Sequence, residues 1–257
     1  AGQLAYLAYL VNEYSGTIYN SQGKYYQLVS DIDLGAHLWE PIGFWSDYSS
    51  QPTKTFNGIF DGNGFIIKNM TIKDGTRGFD TYSIYHGRGQ NMCLGLFGTI
   101  RGNVTVKNIF FENAIIEAKK TYHGGVVAGD ISLSFTVNIE NCHVKNSKIG
   151  VLDTFGGLVG KIEGATVNLR ASSVRNTIID SYQMEGGGND AGGLVGTLRN
   201  GTLNMSDCLF AGKLLMNDGG KNASFGGILG WLQAGVFNVK RVVQMGHFDY
   251  GGIAGPG

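Results

Sequence analysis

A short glycine-rich string returns six times along this chain, and no other feature limits the possible folds as much. It reads LGLFG at 94–98, GGVVAG at 124–129, GGLVG at 156–160 and again at 192–196, GGILG at 226–230 and GGIAG at 251–255. With Gly95, Gly125, Gly157, Gly193, Gly227 and Gly252 taken as equivalent, the spacings are 30, 32, 36, 34 and 25 residues. A period in this range is that of a solenoid, whose units bury their apolar faces only by stacking on one another.

A second string follows each of the first five and aligns without gaps: VTVKNIFFENAII at 104–116, VNIENCHVKNSKI at 137–149, VNLRASSVRNTII at 167–179, LNMSDCLFAGKLL at 203–215 and FNVKRVVQMGHFD at 237–249. Val137/Ile139, Val167/Leu169, Leu203/Met205 and Phe237/Val239 alternate with polar neighbours, the period of a strand with one buried face. Ile109, Cys142, Ser172, Cys208 and Val242 form one column, and Phe111, Val144, Val174, Phe210 and Gln244 another. No stretch within the repeats has helical spacing. The fold expected is all-β, a right-handed parallel β-helix of seven or eight turns with rungs about 4.8 Å apart.

In that geometry glycine is expected where the coil turns with φ > 0 and where a Cβ would strike the next rung. Asn138, Asn168, Asn204 and Asn238 share a column whose amides can bond up the stack. Asn113, Asn146 and Asn176 give way to Gly212 and Gly246, the exchange expected at a left-handed turn. With 42 glycines but only 3 prolines in 257 residues and no Gly-X-Y period, collagen is excluded. A hydrophobic share of 42% against 16% charged excludes disorder.

Residues 1–16 carry Leu4, Leu7, Ala8 and Val11 at helical spacing, an amphipathic helix that caps the first rung and ends at Gly16. Residues 17–93 form divergent N-terminal coils, and 94–257 the repeats, in one domain spanning 1–257. The chain stops at GGIAGPG, the start of another turn, and reads as part of a longer protein.

At this point the residues resemble the GLUG-motif proteins of bacteria, a family named for the string that recurs here as GGLVG. The opening segments LVN, SDIDL, WEPIG and FNGIFDGNGFIIKNMTI also resemble the domain upstream of the protease unit in immunoglobulin A1 proteases. GGVVAG departs by one extra residue, and LGLFG by Leu94 in place of the first glycine. The resemblance implies a secreted or surface-attached β-helix acting as a repeat or adhesion-like module, and supplies no catalytic residues.

Chemistry read from the residues is sparse. There is no HExxH, GxSxG or GxxxxGK[ST], and no calcium-binding nonapeptide. His37 and Glu40 sit three apart but in a β-region beside Pro41, a poor metal site. Residues 186–191 fit GxGxxA formally yet open no helix. Cys93, Cys142 and Cys208 read as packed thiols, with Cys142 and Cys208 two rungs apart and beyond disulfide reach. Catalytic residues, metal and cofactors are therefore expected to be absent. Charge is balanced at 20 against 20, so nucleic acid is not an expected partner, and no apolar run is long enough for membrane insertion.

The variable segments 44–55, 73–93, 117–123, 150–155, 180–191 and 216–225 each precede a glycine string and are expected to stack on one edge. That edge carries Trp45, Tyr48, Tyr82, Tyr85, His86, Arg88, Tyr122, His123, Asp153, Tyr182, Glu185, Asn189 and Asp190. Aromatic rings mixed with amides and carboxylates suit a host glycan or glycoprotein, or another domain of the same protein. The leading expectation is an extracellular, non-catalytic binding or spacer module. Two readings compete with it: a polysaccharide lyase or glycoside hydrolase using Asp153, Glu185 and Asp190, and a purely structural stalk.

Overall fold

A computed structural model describes residues 1–14, 21–43, 54–73, 93–118, 123–133, 135–151, 153–181, 189–216 and 223–250. Its strands pair in parallel from coil to coil, forming an all-β parallel solenoid. One ladder runs from Tyr25–Gln27 through Ile59–Asp61 and the first half of Val104–Glu112 to Thr136–Lys145, Thr166–Arg170, Val195–Ser206 and Leu229–Lys240. The last five of these belong to the glycine-string repeats. The expected columns hold: Cys142 pairs with Ile109 and Val144 with Phe111, while Val174 pairs with Phe210 and Phe210 with Gln244.

Alternation decides what the coil encloses. Val137, Ile139, Val167, Leu169, Leu203 and Met205 are buried, whereas Val239 on the last described rung is 51% exposed. Cys93, Cys142 and Cys208 are free thiols in the interior. Between the core columns, Asn168 Nδ2 donates to Asn138 Oδ1 at 2.9 Å, Asn204 to Asn168 at 2.9 Å and Asn238 to Asn204 at 2.8 Å.

The helix spans Gly2–Tyr14 and buries Leu4, Leu7, Ala8 and Val11 as its spacing predicts. Residues 15 and 16 of the expected helix lie outside the described residues. Asn12 fastens it to the first coil, donating to Pro41 O at 2.9 Å and accepting from Gly43 N at 2.9 Å.

The structure corrects three details. First, Gly124 pairs with Leu94 and with Phe155, while Ala128 pairs with Phe97 and with Val159. Residues 124–129 therefore match 155–160 one for one. GGVVAG carries no extra residue; LGLFG is one short. Gly125 is the counterpart of Gly156, and Gly157 that of Val126. Gly193 and Gly227 stay with Gly157, and Gly252 lies outside the described residues.

Second, the repeat glycines are not left-handed. Positive φ falls on Asn108, Asn141, Ala171, Asp207 and Arg241, and on Asn69, Asn113, Asn146 and Asn176. The glycine strings answer to space instead. A Cβ on Gly193 would meet the carbonyl of Gly227 and the ring of Phe210, and on Gly160 the carbonyl of Gly129.

Third, the gapless alignment breaks between Arg175 and Ile178, where Ile178 pairs with Lys213 instead of the residue after it. Asn176 and Thr177 together oppose Gly212. This corner is one residue shorter in the later coils, and Gly212 and Gly246 are small because Phe210 fills the space where their side chains would stand.

Replacing Gly193 by Val should lower stability by more than about 3 kcal/mol, since backbone and a buried ring block the new side chain. Gly157→Val should behave alike. Gly2→Ala, with nothing within 4 Å of the added carbon, should be neutral or mildly stabilising. Thermal melts followed by circular dichroism check this ranking; equal midpoints for all three would contradict the close-approach account.

Candidate functional site

The segments 74–92, 119–122, 152–153, 182–189 and 217–223 each lie between the same two sets of strands. Before them come Thr71–Lys73, Ile115–Ala118, Lys148–Val151, Ser173–Ser181 and Leu209–Met216, stacked in register. After them come Cys93–Leu94, His123–Gly124, Thr154–Gly156, Asp190–Gly192 and Ser224–Gly226, a separate five-stranded sheet. All five segments thus leave and rejoin the solenoid at one corner. Tyr82, Tyr85, His86, Arg88, Tyr122, Tyr182 and Glu185 fall outside the described residues.

Residues 44–53, which hold Trp45 and Tyr48, lie outside the described residues. They depart after Gly43 and return at Lys54, between Ile42, which bridges to Phe97, and Phe56, which bridges to Ile100. That is a different face of the coil. The first coil has no glycine string, so its sequence offers no marker of phase.

The described floor of the variable corner is polar. Cys93, His123, Thr154, Asp190 and Ser224 form one column. Thr99, Asp130, Lys161, Thr197 and Trp231 form the next. Thr197 Oγ1 donates to Asp190 Oδ2 at 3.2 Å, joining the two columns. On neighbouring rungs, the Asp190 amide donates to the Asp153 carbonyl at 2.7 Å and the Asp153 amide to Asn189 Oδ1 at 3.2 Å. Asp153 takes this position with φ at 86°, left-handed for a residue that is not glycine.

Asp130 is the anomaly. It is fully buried, and neither carboxylate oxygen makes a well-formed hydrogen bond. Lys161 on the next rung pairs with Glu163 at 2.5 Å. Burial pushes the Asp130 carboxyl up to about 6 against the attraction of Lys161. Burial, and then the charge of Asp190, bring Asp153 to about 6, and burial also raises Asp190. Burial drives the Cys93 thiol well above its ordinary value, so it is no nucleophile. The corner can hold protons near neutral pH, and its partly exposed carboxyls, Asp153 and Asp190, stand over buried hydroxyl and amide groups of Thr154, Thr197 and Asn189.

Among the described residues no group of three His, Cys, Asp or Glu is placed to hold a metal ion. Glu40 is engaged by Asn12 Nδ2 at 3.2 Å. Of the residues expected on this edge, the structure brings Asp153, Asn189 and Asp190 together, with His123 in the same column as Asp190. Sequence reasoning missed Asp130 and Lys161. Their signal was a charge directly after the last glycine of a string, in a strand that is otherwise apolar.

Comparison with known proteins adds little to this geometry. No family model matches the chain. A protein of Evansella cellulosilytica named "Putative Gly-rich membrane protein" is 29% identical over 130 residues, which cover 48% of this chain and 13% of that protein. The crystal structure of a "putative immunoglobulin A1 protease" from Bacteroides ovatus superposes with a TM-score of 0.48 and 15% identity, over 90% of this chain and 71% of that one.

The carboxyl groups predict a pH dependence. A carboxyl whose folded pKa is raised contributes stability that is fully present below its unfolded pKa and is lost as pH rises through the folded value. For Asp130, moving from 3.8 to about 6 corresponds to about 3 kcal/mol lost between pH 4 and 7.5. Asp130→Asn should therefore gain on the parent protein by about that amount over the interval, measured by urea unfolding at both pH values. A stability difference that stays constant with pH would remove Asp130 from this account.

Proposed function

We propose that this chain is a non-catalytic binding module of an extracellular or cell-surface protein, engaging glycan or protein through the variable corner. The observation that carries the reading is the common exit of five segments of unlike length and sequence at one corner of a regular scaffold. Repeat scaffolds place recognition on such segments because their ends are held rigidly while their sequences vary freely. The polar floor of Asp153, Asn189 and Asp190 suits hydroxyl-rich ligands.

Placement outside the cell is supported by the resemblance to surface proteins and by the membrane-protein name of the Evansella relative. Among the described residues, no helix is long and apolar enough to cross a membrane. The module spans 13% of that relative, so other domains of the same protein are further candidate partners.

A second reading has one specific observation in its favour. Asp153 and Asp190 sit on adjacent rungs, and burial first and then the charge of Asp190 raise the pKa of Asp153, which suits a carboxyl acting as a general acid. On that reading the chain cleaves polysaccharide.

One experiment separates the readings. The purified chain is applied to a glycan array and to immobilised glycoprotein, alongside a version with 182–188 replaced by a Gly-Ser stretch. The binding reading expects a ligand held by the intact chain and at least tenfold weaker binding by the altered one, with unchanged circular dichroism. Absence of binding by both would favour a structural stalk. Release of reducing ends from polysaccharide, abolished by Asp190→Asn, would replace binding with catalysis.

A further inference from the structure

Away from the variable corner, two outward columns shrink on the same rung. Ile66, Phe110, His143, Ser173 and Leu209 stand one above another, bulky except at Ser173. In the adjoining left-handed column, Asn141 and Asp207 flank Ala171. Two small residues side by side leave a groove of about 410 Å³, with Ala171 and Ser173 on its floor and Phe110, His143 and Leu209 at its rims. This is the size of a site for one small ring, and it mixes apolar walls with a few fixed polar groups.

A directional chain of hydrogen bonds ends on that floor. Asn108 Nδ2 donates to Asp61 Oδ1 at 3.1 Å, and Asn141 Nδ2 to Asn108 Oδ1 at 3.0 Å. His143 Nε2 lies 2.8 Å from Asn141 Oδ1, and its Nδ1 lies 2.9 Å from Ser173 Oγ. Because Asn141 Oδ1 can only accept, Nε2 carries the proton. Burial and Arg175 depress the His143 pKa, so Nδ1 accepts from the Ser173 hydroxyl. The imidazole is also stacked on Phe110, with centroids 4.9 Å apart. The Ser173 oxygen is left with its lone pairs as acceptors, held in one orientation.

The charges beside the groove are unbalanced. Lys145 pairs with Glu112 at 3.3 Å, and Asp207 with Arg241. Arg175 lines the groove and makes no ion pair among the described residues. An unpaired guanidinium offers a fork of donors that matches a carboxylate.

The geometry points to this groove as a binding site for a carboxylate-bearing sugar ring, the terminal or internal acidic unit of a glycan. The carboxylate pairs with Arg175, a ring hydroxyl donates to Ser173 Oγ, and the C–H face of the ring lies against Leu209, with His143 at the opposite rim. The site is separate from the variable corner and does not depend on the function proposed there.

The test is a titration of the folded, isotope-labelled chain with glucuronate, N-acetylneuraminate and glucose, followed by amide chemical shifts. At least one acidic sugar should bind at least tenfold more tightly than glucose and shift amides around Ala171–Arg175; which of the two does so distinguishes a uronic from a sialic source. Arg175→Gln, a change at an exposed position, should reduce that affinity tenfold or more and erase the preference over glucose. Arg175→Lys should retain part of it. Replacing 182–188 should leave the binding intact. The proposal is overturned if neither acidic sugar binds better than glucose, if Arg175→Gln binds like the parent, or if replacing 182–188 abolishes the effect.

Discussion

Close approach of backbone to backbone governs this molecule. Each coil must reverse where the five-stranded corner sheet meets the face that follows it, and there the chain passes so near itself that a single carbon does not fit. A Cβ on Gly129 would touch Cys93 and Leu94, and on Gly196 the carbonyls of Gly160 and Phe155. Glycine at these columns lets the backbone satisfy its hydrogen bonds with the neighbouring coil instead of with water. Everything else follows from that contact: the pairing register, the buried Val, Ile, Leu and Phe columns, and the placement of variable segments where the register is already fixed.

Much of the fold was legible in the chain because the period reports directly on stacking. Val137, Val167 and Leu203 recur at one phase, and they share one ladder. What the sequence concealed was local. Gly125 and Gly157 look equivalent in a string comparison, yet pairing sets them one position apart, since a run of two glycines carries no mark of which one faces the next coil. Asn176 and Gly212 align by eye, while the structure sets two residues against one. The compensating partner, Phe210, is a different column and leaves no trace in a pairwise alignment.

The functional features were less readable for a related reason. Burial of Asp130 and the bond from Thr197 to Asp190 are consequences of which columns lie beside each other, and adjacency across a coil is not encoded in spacing along it. The same holds for the groove over Ala171 and Ser173. It exists because two small residues in different columns fall on one rung, and neither is conspicuous alone. In the first coil there is no glycine string to set the phase, and the residues flanking 44–53 pair with Phe97 and Ile100, a phase the sequence did not mark.

The asparagine column has a polarity that matters beyond its hydrogen bonds. Every amide in it donates toward the earlier coil, from Asn238 to Asn204, to Asn168, to Asn138 and on to Thr105 Oγ1 at 3.5 Å. The side-chain dipoles therefore add head to tail, and each bond polarises the next. Among the described residues the column ends on a single acceptor, Asn238 Oδ1, which sets the phase for whatever strand stacks next on Leu229–Lys240. A strand laid on Leu229–Lys240 in the correct phase supplies an amide donor there, and a strand displaced by one residue would bring an apolar side chain to face an unpaired carbonyl.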